Sequence, residues 1–186
     1  MRLYDGSALP AGMKARLKRE WGHVEFLRSQ IAVLEKERRY QLRESKEEDF
    51  IKIRQLMMLR GIGENSSWLL VREFFGWRKF RNRREIGSLA GLTPTPYQSS
   101  ALKREQGISK AGNRHVRAIA IELGWSWVRH QPDSELTRWF ERRFAGAGLR
   151  ARKVGIVGLS RKLLIELWRF LETGAIPRGA ELKVTQ

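Results

Sequence analysis

Two adjacent hydroxyls are the best-placed groups in this chain for covalent chemistry. Ser99 and Ser100 follow Pro94-Thr95-Pro96-Tyr97-Gln98, and Lys103 and Arg104 come just after them. A serine can attack a phosphodiester when cations neutralise the phosphate and a base or metal relieves the hydroxyl of its proton. A serine in such a setting can also do no more than hydrogen-bond a phosphate. Other chemistries are poorly supplied. The absence of cysteine excludes a thiol nucleophile, a disulfide framework and a Cys-ligated zinc. Asp5, Asp49 and Asp133 are the only aspartates and lie far apart in sequence, so no carboxylate cluster for Mg²⁺ is expected. His23, His115 and His130 lack metal-ligand spacing, so no metal-binding residue is expected in this chain. Gly61-Ile62-Gly63 lacks the Gly-Lys-Ser/Thr that completes a phosphate-binding P-loop.

The surroundings of the serines are cationic. Between positions 76 and 117, Arg78, Lys79, Arg81, Arg83, Arg84, Lys103, Arg104, Lys110, Arg114 and Arg117 stand against only Glu85 and Glu105. The whole chain has 37 Lys plus Arg and 20 Asp plus Glu, a formal charge of +17. Charge of this size and sign points to a polyanion, nucleic acid ahead of an anionic membrane. At 186 residues, 41% hydrophobic and 10% aromatic, the chain can bury a core and is too apolar for a disordered tail. No apolar run approaches the roughly 20 residues of a membrane span, so no membrane partner is expected. Met1–Asp5 leads into no apolar leader, and with the lack of cysteine this predicts a cytoplasmic protein.

Helices must position these groups. Leu17, Trp21, Val24, Leu27, Ile31 and Leu34 alternate steps of three and four, which predicts one long helix from about Ala11 to about Glu48. That seam suits a coiled-coil arm, or an amphipathic helix packed on its own domain. Phe50, Ile53, Leu56, Met57 and Leu59 continue a helical stripe up to Gly61-Ile62-Gly63, and an apolar helix follows. This reads as a helix-hairpin-helix element in which Gly61 and Gly63 expose amides to phosphate, or as a plain connection capped by Gly61. Residues 91–100 read as a loop, because Pro94 and Pro96 exclude a helix. Ser109-Lys110-Ala111-Gly112-Asn113 reads as the entry to a helix bearing Val116, Ile119, Ala120, Leu123 and Trp127, which Pro132 ends. Asp133 or Ser134 caps the next helix, and a last helix runs from about Ala151 to Glu172. Period-2 alternation is absent, so the fold class is all-α. The expected domains are a lead and helical arm over 1–48, a compact helical domain over 49–178 and a tail over 179–186. Most of the seven tryptophans are expected in the core, with Trp77 the best candidate for stacking on a base.

Taken together, Gly91-Leu92-Thr93-Pro94, then Ser99, then Gly107-Ile108-Ser109-Lys110-Ala111-Gly112-Asn113, then Arg117, resemble a known family. The blocks look like the C-terminal serine-bearing domain of the insertion-sequence "one-ten" transposases, the bridge-RNA-guided DNA recombinases, and the resemblance covers about residues 50–175. It implies that Ser99 attacks a DNA strand and forms a transient phosphoserine link. Where family members usually carry Gly after that serine, this chain has Ser100, the alternative nucleophile. By the same resemblance Lys103 and Arg104 neutralise phosphates near the break. Lys110, Asn113, Arg114 and Arg117 then hold nucleic-acid backbone, and Arg161 and Lys162 add contacts from the last helix; Arg78 and Lys79 are further candidates for backbone contact on the strength of the basic stretch alone. The family also carries a RuvC-like acidic domain that binds Mg²⁺, and nothing in residues 1–50 resembles it. The implied partners are therefore DNA, a guide RNA, that acidic domain and a second copy through the helical arm, at the bacterial nucleoid. The competing reading is a non-enzymatic nucleic-acid-binding module.

Overall fold

In a computed structural model, the protein is described at Tyr4 and over residues 6–99 and 102–183, with side chains outside 96–106. Residues 1–45 and 46–186 form two separate units. The first is dominated by α1 (Ala11–Glu44). At 34 residues this helix is about 50 Å long. Every residue of the predicted seam is solvent-facing, from Val24 at 39% exposure to Leu34 at 63%. Local pairs run along its surface: Trp21 Nε1 donates to Glu25 Oε1 at 2.7 Å, and the Arg28 guanidinium lies 5.7 Å from the Trp21 ring centroid.

The second unit is helical, as expected, apart from one small antiparallel ribbon. Its elements are α2 (Glu48–Met57), α3 (Glu64–Leu70), α4 (Arg83–Leu89), β1 (Pro94–Ser99), β2 (Leu102–Ile108), α5 (Arg114–His130), α6 (Glu135–Phe144) and α7 (Leu149–Thr173). A π-helical turn, Val71–Phe75, extends α3. No helix among the described residues is long and apolar enough to cross a membrane.

Helix α7 is the spine, with α2, α4, α5 and α6 all against it. Its inward face is Ile156, Leu159, Leu163, Leu164, Leu167 and Phe170, each no more than 3% exposed. Burying an aliphatic or aromatic side chain of this size contributes about 2 kcal/mol. Small residues let the helices close in: a Cβ on Gly124 of α5 would come 2.5 Å from Ser160 Oγ on α7. The short helices are set by their caps. Asn82 Oδ1 accepts from the amides of Arg84 and Glu85, and Ser134 Oγ accepts from the Thr137 amide. Ser134 Oγ also accepts from the buried Trp127 indole at 2.8 Å, so one cap satisfies a core donor as well.

Three expectations change. The loop over 91–100 contains a strand: β1 pairs with β2 from Pro94↔Ile108 to Ser99↔Leu102. Proline excludes a helix but not an edge strand, and both strands of a two-stranded ribbon are edges. The tryptophans are less buried than expected. Trp127 is at 1% exposure, but Trp21, Trp77 and Trp125 are exposed at 53%, 66% and 42%. The tail is fastened as far as Lys183. Leu182 bridges to Leu59, and the Lys183 amide donates to Met58 O at 2.7 Å. Lys183 Nζ donates to Ile62 O at 2.7 Å, and burial lowers the pKa of that ammonium.

Gln131 is the rivet of this C-terminal strap and is 1% exposed. Its Nε2 donates to Arg60 O at 2.8 Å and to Glu181 O at 2.9 Å, and its Oε1 accepts from the Glu181 amide at 2.7 Å. Gln131→Leu leaves the Arg60 carbonyl and the Glu181 amide without this partner, while Glu181 O keeps only the Arg60 amide, so a stability loss of about 2 to 3 kcal/mol is expected in urea denaturation. A midpoint matching the wild type would show that the strap contributes nothing.

Candidate nucleic-acid interface

The ribbon is held at its base by its flanks. The Ser109 amide donates to Thr93 O at 2.9 Å, the Lys110 amide to Gly91 O at 3.2 Å and the Asn113 amide to Leu89 O at 3.0 Å. Gly91 sits at φ +68° and Lys110 at φ +55°, a left-handed conformation uncommon outside glycine. The Arg117 guanidinium secures that conformation by donating from Nη1 to the carbonyls of Lys110 at 3.1 Å and Gly112 at 3.4 Å. Asn113 caps α5 through Oδ1, accepting from the His115 and Val116 amides, while its Nδ2 donates to Glu73 Oε2 at 2.8 Å. The residues from Ser109 to Arg117 thus form a backbone joint, and Arg117 and Asn113 are occupied in building it. Glu73 was missed from the sequence, where 40 residues separate it from its partner.

Several cations are left to face solvent around the joint: Lys110 and Arg114 are exposed, and Arg114 Nε lies 3.4 Å from His115 Nε2. The Arg161 side chain runs past Gly87, where a Cβ would come 3.0 Å from its Cδ and 3.5 Å from Thr93 Cγ2. It lines a groove of about 650 Å³ between the ribbon base and α7, with Pro94, Ile108, Val154 and Val157. Lys162 does not join it. Its Nζ lies 5.0 Å from the Trp139 ring centroid, in a different groove beside α6. Consecutive residues on a helix point about 100° apart, which is why the expected pair divides.

Ser99 closes β1 opposite Leu102, one position before the turn. Lys103 pairs with Gln98 and Arg104 with Tyr97. Strand positions alternate between faces, so positions 97, 99, 102 and 104 share one face and 98 and 103 the other. The Ser99, Lys103 and Arg104 side chains, and the whole of Ser100, lie outside the described residues.

The Gly61–Gly63 turn stands apart from the ribbon. Gly61, at φ +87°, accepts a hydrogen bond at its carbonyl from Ser126 Oγ at 2.8 Å, and a Cβ there would come 3.0 Å from His130 Cβ. Both partners are near the C-terminal end of α5, roughly 20 Å along the helix from Arg114. The Ile62 and Gly63 amides are taken by Leu59 O and Ser66 Oγ, and Ile62 is 1% exposed. The turn therefore spends its polar groups on packing. Elsewhere, Phe80 anchors the basic segment against Phe74 at 4.9 Å and Trp168 at 6.4 Å, while Arg78 covers the exposed Trp77 ring at 4.4 Å. Lys79 is exposed. Glu48 is hydrogen-bonded to Lys52 at 2.6 Å, which holds its carboxyl below the usual range, and Lys79 adds to the pull.

The ribbon has glycines of positive φ at both ends of its base, Gly91 and Gly107, with Ser99 closing its first strand. Residues 53–137 match the Transposase IS116/IS110/IS902 family. The matched segment holds the ribbon, the joint and Ser99. The chain is also 38% identical over 191 residues, 98% of its length, to a Sinorhizobium fredii protein named as a transposase. It is 27% identical over 90% of its length to a Pseudomonas aeruginosa protein named as a family 20 transposase. Over 61% of its length it is 25% identical to the transposase for insertion sequence element IS1328 of Yersinia enterocolitica. The chain spans about half the length of the first two relatives, 48% of each, and 33% of the third.

Proposed function

We propose that this chain is the serine-bearing part of a DNA transposase that cuts and rejoins strands through Ser99. The observation that carries this reading is the ribbon itself: a transposase-family segment puts a serine at the end of a strand whose base is locked by Arg117. In the proposed step Ser99 Oγ attacks phosphorus. The Oγ–P bond forms as one P–O ester bond breaks, the hydroxyl proton leaves to a base, and the departing strand oxygen is protonated. Attack by another strand's hydroxyl reverses the step and exchanges the strands. Arg104, whose position shares a ribbon face with Ser99, neutralises the phosphate, with Lys103 on the other face. Lys110 and Arg114 hold the neighbouring backbone, with Arg161 beyond them and Arg78 and Lys79 on the basic segment before α4. Asn113 and Arg117 act through the joint.

Among the described residues no three His, Asp or Glu side chains converge into a metal site. The described residues therefore do not fit Mg²⁺, and a RuvC-like acidic domain is the proposed holder. Guide RNA is the proposed second nucleic acid. The exposed seam of α1 supports pairing with a second copy, since apolar residues repeated along a helix are stabilised by a matching seam.

Trapping on suicide DNA, in which a nick prevents religation, tests the reading. The expected product is a covalent adduct whose phosphate maps to Ser99. Tight, salt-steep binding with no adduct, in the presence of the acidic domain and Mg²⁺, would leave a binding module only.

A further inference from the structure

A second cationic groove, of about 500 Å³, runs between α4, α6 and α7 away from the ribbon. Arg83, Arg138, Arg142, Lys162 and Arg169 line it, together with Glu135 and Glu166. The carboxylates are already committed: Glu166 pairs with Arg169 at 2.9 Å, and Glu135 with Arg178 at 3.7 Å. Among the described residues this leaves Arg83, Arg138, Arg142 and Lys162 without a carboxylate partner. Arg83, Arg138 and Arg142 are exposed.

We propose that this groove binds the phosphodiester backbone of a nucleic-acid strand, as a site separate from the ribbon. The cations are spread over three helices rather than gathered on a point. Arg138 and Arg142 are one turn apart on α6, about 6 Å between side-chain origins. A row of this kind suits a chain of phosphates better than a single compact anion. Three of the four cations without a carboxylate partner are arginines, whose planar fork binds phosphate in a bidentate manner. Trp139 forms the wall, and its indole is engaged by Lys162 Nζ and by the Arg143 guanidinium, each 5.0 Å from the ring centroid. Those cations compete with a base for the ring, so the groove reads backbone rather than sequence. Phosphate binding in this groove depends on neither Ser99 nor strand exchange.

The experiment compares the unaltered 186-residue chain with Arg138→Gln/Arg142→Gln and with Lys110→Gln/Arg114→Gln, all four residues being exposed. The probes are a single-stranded DNA, its duplex and an RNA hairpin, followed by fluorescence anisotropy across a salt series. The groove variant is expected to lose about tenfold in affinity for at least one probe. For that probe the slope of log affinity against log salt should fall by about 1 to 2, as two phosphate contacts are lost. The probe hit hardest identifies the occupant as DNA or RNA. Scrambling the probe sequence should not change the loss. Unchanged binding of all three probes by the groove variant, with an unchanged circular-dichroism melt, overturns the proposal. If only the Lys110/Arg114 variant weakens, the ribbon reading stands and the groove fails; if only the groove variant weakens, the reverse holds.

Discussion

Gly112→Ala is expected to lower the stability of the chain by about 3 kcal/mol or more and to shift its urea midpoint accordingly. The cause is steric. A Cβ at position 112 would overlap Leu89 O and stand 2.5 Å from both Gly91 N and Leu89 C. All three are backbone atoms, which cannot rotate away as the end of a side chain can. Relief requires Leu89–Gly91 and Ala111–Asn113 to separate. That breaks the Asn113 amide bond to Leu89 O, strains the Lys110 amide bond to Gly91 O and draws the Gly112 carbonyl off Arg117. The ribbon base and the start of α5 loosen together. Gly146→Ala is the control, because a Cβ there meets nothing within 4 Å. Equal midpoints for the two variants would show that the joint is not the rigid element described.

Ser99→Ala is expected to abolish strand cleavage, by a factor on the order of 10⁴ or more, in an assembly with the acidic domain and Mg²⁺. DNA affinity should change by no more than about threefold, since at most one hydrogen bond of about 0.5 kcal/mol is lost. That split separates a nucleophile from a phosphate donor, which would lose affinity and keep activity. Ser100→Ala should cleave within a few-fold of the wild type. The reverse pattern would move the nucleophile to Ser100. Cleavage by both single variants would remove serine chemistry and leave the basic surface as a binding module.

Much of the frame is encoded in neighbouring residues and was legible from them. The 3.6-residue periodicity of Phe50, Ile53 and Leu56, or of Val116, Ala120, Leu123 and Trp127, predicts helices that do bury those faces. Ser134, one of the two expected caps, does cap α6, and α5 starts at the end of the expected Ser109–Asn113 entry, because an N-cap acts within three residues of itself. The resemblance of the Gly91–Arg117 blocks to transposases was also legible, and a transposase-family match covers that region. The ribbon was not. Pro94 and Pro96 carry a local veto on helix, while pairing with β2 is a choice made between segments. The partners of Asn113 and Arg117 were not legible for the same reason: a cation or amide in a basic run looks like a phosphate ligand, and Glu73 and the two carbonyls are brought to these side chains only by folding.

The chain's own order of residues therefore determined its helices, its caps, its positive charge and the position of the candidate serine. Tertiary structure alone decided which cations are free. Arg161 and Lys162 adjoin in sequence yet serve two grooves, and Arg83, Arg138 and Arg142 become neighbours only when α4 and α6 close on α7. Charge is a property of composition, but a binding surface depends on which side chains helix packing brings together and which carboxylates it has already paired.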